Sequence, residues 1–259
     1  MPPSQPSRAP VLPRCYPSTA LAQPSHVHNQ GMSLSPPEGA GPLRRERLRT
    51  ARLYFVCDAR PPGDLEALLR AALGGGADIV QLREKELGRA EIERAAETFR
   101  RVADTYSALF ILNDDPDLAR SCDADGVHVG QDDVAAEEAR ALLGPDAIIG
   151  LSTHSEEQIA ASAGRPVDYI SVGPIWETPT KAGRAAVGLG LIEHAAAQAP
   201  HPFFAIGGID PGNAAQVVEA GAERLCAVRA IRDAADPAAA ASALRQAFAT
   251  GERGVAPGG

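Results

Sequence analysis

From Arg52 onward, short apolar runs alternate with longer stretches rich in Ala, Leu, Glu and Arg, and the alternation continues to the end of the chain. The short runs are Leu53–Cys57, Ile79–Leu82, Leu109–Leu112, Gly126–Val129, Ile148–Leu151, Tyr169–Val172, Phe203–Ile206 and Leu225–Val228, and their length suits buried strands. Between them, stretches such as Asp64–Leu73, Arg89–Thr105 and Glu137–Leu143 repeat apolar positions three and four residues apart, the period of a helix with one buried face. Asp64 before Leu65 and Pro211 after Asp210 are helix-start signals. This rhythm predicts βα units. Eight strands in about 200 residues match the lower size range of a closed barrel, whereas a doubly wound open sheet more often holds five to seven. The predicted fold is therefore α/β, a (β/α)8 TIM barrel with a closed, parallel eight-stranded sheet spanning residues 49–251.

Residues 1–48 break the pattern. Ten of the 22 prolines fall there, among Ser, Gln and Gly and without apolar periodicity, so this extension is expected to be disordered, as is a short flexible tail at 252–259. Its arginines and scarcity of acids resemble an organelle transit peptide, while its prolines oppose the amphipathic helix such a signal uses. Met32 lies inside the segment and leaves open a later start. A chain of 259 residues that is 44% hydrophobic can bury one large core or two small ones. Net charge is −8, with no basic run beyond Arg44-Arg45-Glu46-Arg47, which argues against a nucleic-acid partner. No stretch approaches the roughly 20 apolar residues of a membrane span, so a soluble, cytoplasmic protein is expected. Cys15, Cys57, Cys122 and Cys226 are scattered, the spacing of free thiols in a reducing compartment.

Barrels of this kind build their active sites from the loops after the strands, and here those loops are polar. The second strand runs into Gln81-Leu82-Arg83-Glu84-Lys85, the third into Asn113-Asp114-Asp115, and the fourth into His128-Val129-Gly130-Gln131-Asp132-Asp133. The fifth ends in Ser152-Thr153-His154, the sixth opens into Gly173-Pro174 and Thr178-Pro179-Thr180-Lys181, and the seventh gives Gly207-Gly208. Arg83, Lys85 and Lys181 suit an anionic ligand, and Asp114 and Asp133, after neighbouring strands, suit a hard divalent cation such as Mg²⁺, which binds through one or two carboxylates plus substrate phosphates. Together they suggest a diphosphate. Singly, Arg83 and Lys85 could equally pair with Glu84, Glu86 and Asp114 at a solvated rim. Gly207-Gly208 ahead of Asp210-Pro211 offers backbone N–H groups at a helix start, which suits a phosphate. His128 inside a strand reads first as structural, and no nucleophile elbow surrounds Ser152 to pair it with His154. Trp176 either lines a loop or stacks on a substrate.

These motifs, with Asp125-Gly126-Val127 leading the fourth and Ala205-Ile206 leading the last, resemble the thiamine-phosphate synthase family over the chain from about Leu53 to the final helix. The resemblance implies Mg²⁺ on Asp114 and Asp133, and contacts from Gln81, Arg83, Lys85, Asn113, Ser152 and Lys181 to a pyrimidine diphosphate. It implies a thiazole-phosphate site at Thr178, Thr180, Gly208 and the backbone near Val228. Arg229 stands where the family usually has serine, and its side chain either turns outward or meets the phosphate. The implied reaction condenses hydroxymethylpyrimidine diphosphate with a (carboxy)thiazole phosphate and releases pyrophosphate, with Arg83, Lys85 and Lys181 neutralising the leaving charge. A related thiazole tautomerase lacks the paired aspartates and differs at the position of Lys85. A silent metabolite-binding barrel is the alternative outside enzymes.

Overall fold

The computed structural model describes residues 39–178 and 185–251. Eight strands, β1 (Leu53–Cys57), β2 (Ile79–Leu82), β3 (Leu109–Asn113), β4 (Gly126–Val129), β5 (Ile148–Thr153), β6 (Tyr169–Val172), β7 (Phe203–Ile206) and β8 (Leu225–Ala227), form a closed barrel in chain order. Every pairing is parallel, and β8 closes onto β1 with Leu53 opposite Leu225 and Phe55 opposite Ala227. The helices among the described residues are α1 (Ala40–Thr50), α2 (Leu65–Gly74), α3 (Arg89–Tyr106), α4 (Pro116–Ser121), α5 (Ala136–Leu143), α6 (Glu156–Ala161), α7 (Gly190–Gln198), α8 (Ala214–Glu219), α9 (Arg229–Arg232) and α10 (Pro237–Gly251). The predicted (β/α)8 TIM barrel is thus the observed fold.

Because strand side chains alternate between faces, each strand divides its residues between two cores. Leu53, Phe55, Val80, Leu82, Phe110 and Leu112 face outward and pack in the shell shared with the helices. Tyr54, Val56, Ile79, Leu109, Ile111, Ile148, Tyr169, Phe204 and Cys226 fill the barrel itself. The rings of Tyr54, Tyr169 and Phe204 meet edge-on, with centroids 5.3–6.0 Å apart, a favoured aromatic geometry.

The start of the barrel departs from expectation. Residues 40–48, predicted disordered with the rest of the extension, belong to helix α1. Only Leu48 and Gly41 of this helix are buried, which is why no periodicity shows in its sequence. Its anchors are ionic and distant in sequence: Arg44 Nε lies 2.8 Å from Asp125 Oδ1, and Arg45 Nε 3.1 Å from Asp168 Oδ1. Residues 1–38 and the tail at 252–259 lie outside the described residues.

Asp64 caps α2 as predicted, its side chain accepting from Ala67 N at 2.7 Å. The helix expected at Pro211 begins later, at Ala214. Asp210 instead closes a turn, accepting from Gly212 N and Asn213 N, while Asn213 Oδ1 accepts from Asp210 N. The turn consumes the polar groups that a helix start at Pro211 would have left exposed.

Candidate active site

The alternation that fills the barrel with apolar groups near the strand starts delivers polar ones near the strand ends. Gln81, Asn113, His128, Ser152 and Ser171 occupy inward positions on β2 to β6, each two residues beyond Ile79, Ile111, Gly126, Gly150 and Tyr169 respectively. They open onto a cavity of about 360 Å³, walled on its far side by Gly173, Thr178, Gly207, Gly208, Val228 and Arg229. A second cavity of about 310 Å³ adjoins it and holds Lys85, Asp114 and Asp133. Arg83, Asn113, His128, Ser152 and His154 line both.

The second cavity is built by backbone geometry around charge. Asp114 adopts a left-handed conformation with φ 67°, its N–H donating to His128 O at 2.8 Å, a strained placement for a residue with a Cβ. Its carboxylate pairs with Lys85 Nζ. Burial, reinforced by the neighbouring Asp133 carboxylate, holds the Asp114 carboxyl above its ordinary range, against the pull of Lys85. Asp133 Oδ2 also accepts from Gly130 N at 2.8 Å. Two crowded carboxylates at one cavity fit a hard divalent cation completed by phosphate and water oxygens. Asp114 and Asp133 are residues of this cavity that could hold it.

The solvated-rim reading holds only for Lys85, because Arg83, half-buried, makes no ion pair among the described residues. Glu84 serves the backbone instead. Its carboxylate accepts from Lys85 N and Glu86 N, both at 2.8 Å, and from Ala59 N at 3.3 Å, fixing the loop that carries Arg83 and Lys85. Those backbone bonds leave its pKa lowered in spite of burial, which raises it.

On the far wall, Gly207 (φ 108°) and Gly208 (φ 70°) need the freedom of glycine, and a Cβ at Gly207 would lie 2.4 Å from Pro174 Cα. Arg229 is exposed at the first position of α9 and reaches the cavity rim. Trp176 lines neither cavity and packs against the outer core, as a loop residue does. Of the predicted site residues, Gln81, Arg83, Asn113, Ser152, Thr178, Gly208, Val228 and Arg229 meet at the first cavity, and Lys85, Asp114 and Asp133 at the second. Thr180 and Lys181 lie outside the described residues.

The sequence reading missed Tyr54, on the floor of the first cavity, and Tyr169 just beneath it. Both read as core residues, and only the inward alternation with Gln81 and Ser152 could have flagged them. His154 was dismissed as a partner for Ser152; its Nδ1 instead bonds the carbonyl of Gly173, and its ring lines both cavities.

The sequence model of the family described as thiamine monophosphate synthase matches residues 53–231, from the first barrel strand to α9. The chain belongs to that family. A thiamine-phosphate synthase from Acidothermus cellulolyticus is 50% identical over 198 residues, covering 75% of this chain and 93% of the relative. One from Thermus thermophilus is 49% identical over 199 residues, covering 75% and 96%. Among solved structures, the thiamine phosphate pyrophosphorylase from Pyrococcus furiosus superposes with a TM-score of 0.71 at 31% identity, covering 80% of this chain and 98% of that one. As a member of this family the protein is an enzyme, a transferase of thiamine biosynthesis acting on small molecules.

Proposed function

We propose that the protein joins hydroxymethylpyrimidine diphosphate to a thiazole phosphate, releasing pyrophosphate, with Mg²⁺ held by Asp114 and Asp133. The observation that carries this reading is the crowded Asp114–Asp133 pair beside Lys85 and Arg83, the latter without an ion pair among the described residues, directly adjoining a cavity floored by Gln81 and Ser152. The diphosphate lies with the charged groups, and the pyrimidine enters the first cavity. The C–O bond to the pyrimidine methylene breaks with its electron pair going to the diphosphate, and the thiazole nitrogen supplies the pair for the new C–N bond. The amino-pyrimidine ring delocalises positive charge at the methylene, so the chain need supply no nucleophile.

Each residue then has a defined task. Arg83 and Lys85 hold the diphosphate and stabilise the charge that develops as it leaves, aided by Lys181. Asn113 and Ser152 orient the pyrimidine portion with Gln81. Thr178, Thr180, Gly208 and the Val228 backbone receive the thiazole phosphate, and Arg229 stands at the rim of that site. When bound, Mg²⁺ supplies further positive charge to the leaving diphosphate. A tautomerase has no use for this cationic and carboxylate set. No helix among the described residues is long and apolar enough to cross a membrane, and the buried thiols Cys57 and Cys226 suit the reducing cytoplasm.

The test is incubation of the purified protein with both phosphorylated substrates and Mg²⁺, following thiamine phosphate and pyrophosphate together. Equal amounts of the two products support the proposal. Thiazole isomerisation without pyrophosphate, or undiminished synthesis in excess chelator, refutes it or its metal.

A further inference from the structure

Beneath the first cavity, buried side chains from five strands are joined end to end by hydrogen bonds that the condensation itself does not require. Gln81 Nε2 donates to the Tyr54 hydroxyl at 2.6 Å, and the Tyr54 and Tyr169 hydroxyls are 3.0 Å apart. The Tyr169 hydroxyl lies 3.0 Å from His128 Nδ1, and His128 Nε2 lies 3.0 Å from Ser152 Oγ, with Ser171 Oγ at 3.4 Å. The barrel makes room for this chain. A Cβ on Gly150 would fall 2.4 Å from the Tyr169 hydroxyl and 2.5 Å from His128 Nδ1.

The protons can be ordered in one direction along the chain. Burial pushes both phenols well above their ordinary range, so each keeps its single proton. With Gln81 Nε2 donating to the Tyr54 oxygen, the order that runs one way along the chain has Tyr54 donating to Tyr169 and Tyr169 to His128 Nδ1. In that order the neutral imidazole carries its proton on Nε2 and donates to Ser152, and the Ser152 proton turns toward the cavity. At the other end, Gln81 Oε1 makes no hydrogen bond among the described residues, and Gln81 lines the same cavity. In that order the cavity floor presents an acceptor at Gln81 and a donor at Ser152.

We propose that Tyr54, Tyr169 and His128 are positioning residues, forming a directional relay that sets this acceptor–donor pair to read the amino group and neighbouring ring nitrogen of the amino-pyrimidine. The proposal rests on the pyrimidine occupying this cavity, as in the proposed function. A 4-oxo-pyrimidine carries the opposite pattern, a carbonyl acceptor beside an N–H donor. Binding it would leave buried polar groups unmatched or require every link of the relay to reverse, and mismatches of that kind discriminate strongly between substrates.

Two measurements test the relay. Imidazole ¹⁵N spectra of the wild-type protein should show His128 protonated on Nε2 with Nδ1 as acceptor; the Nδ1–H tautomer would overturn the assigned direction. Tyr54→Phe and Tyr169→Phe, checked first for an unchanged melting temperature, should raise KM for the amino-pyrimidine diphosphate on the order of tenfold while sparing KM for the thiazole phosphate. They should also reduce the preference for the amino over the 4-oxo diphosphate, as a ratio of kcat/KM, by a similar factor. An unchanged ratio, or an equal rise in both KM values, would reduce the tyrosines to packing and sink the proposal. Should the wild-type enzyme form no thiamine phosphate, the functional reading fails instead, and the tautomer measurement still judges the relay by itself.

Discussion

At the scale of single residues, the site depends on groups held where isolated side chains would not stay. Asp114 sits at φ 67°, a region that Asn tolerates at least as well as Asp, so Asp114→Asn removes the charge and keeps the backbone. Turnover should fall about a hundredfold or more, as when several kcal/mol of charge stabilisation is lost, with little change in melting temperature. Steady-state kinetics across a Mg²⁺ titration checks this, and full activity would remove Asp114 from the metal site. Arg229 offers a sharper choice. Its exposed side chain makes no hydrogen bond among the described residues, so Arg229→Ser should leave KM for the thiazole phosphate unchanged. A rise of about tenfold would instead reveal a charge-assisted bond to the phosphate, worth about 1.5 kcal/mol.

Whole elements carry these residues, and the loop after β2 shows how. Glu84 was grouped by sequence with the charges of a solvated rim, but it ties down three backbone N–H groups around Arg83 and Lys85. Glu84→Ala should slacken the loop and raise KM for the diphosphate substrate several-fold, an effect that Glu84→Gln, which keeps an acceptor, should partly spare. Titration of KM for each variant settles it. Helix α1 illustrates the opposite case, an element invisible to periodicity because its anchors lie far along the chain. The side chains of Arg44 and Asp125 are only 14% and 7% exposed, while Asp125 is also held by Arg100 and by Phe110 N. Arg44→Ala should therefore cost about 1–3 kcal/mol, less than for a wholly orphaned charge, and truncation through Arg47 should cost more. Thermal melting is the measurement, with about 2–4 °C lost per kcal/mol in a domain of this size. An unchanged melting temperature after truncation would mean that α1 adds nothing to the barrel.

Across the whole molecule, one device recurs at the end of the barrel opposite the site. Asp78, Asp125 and Asp168 each precede an even-numbered strand and accept from the backbone at the start of the strand before it, at Leu53 N, Phe110 N and Ile149 N. Each is met by arginine: Arg245 from α10, Arg44 and Arg100, and Arg45 and Arg140. Arg224 takes the corresponding place before β8 and ends the repeat. Closure of the barrel also seals Cys57, whose thiol burial pushes far up. It should not react with a thiol reagent at neutral pH until the protein unfolds, so its alkylation rate should follow global unfolding, which mass spectrometry under a denaturant series would show. Rapid modification of Cys57 in native buffer would mean that the barrel opens locally. The chain itself determined the eight strands, their helical partners and the polar loops after each strand, because periodicity and loop composition are local properties. Seven strands begin and end where the apolar runs do or within a residue of them, and β5, extended to Thr153, is the longest overrun. Local sequence could not reveal that Arg44 answers Asp125, that Glu84 serves the backbone, or that Tyr54 and Tyr169 link Gln81 to Ser152. Those pairings join residues from 24 to 115 positions apart, and only closure of the barrel brings them within hydrogen-bonding distance.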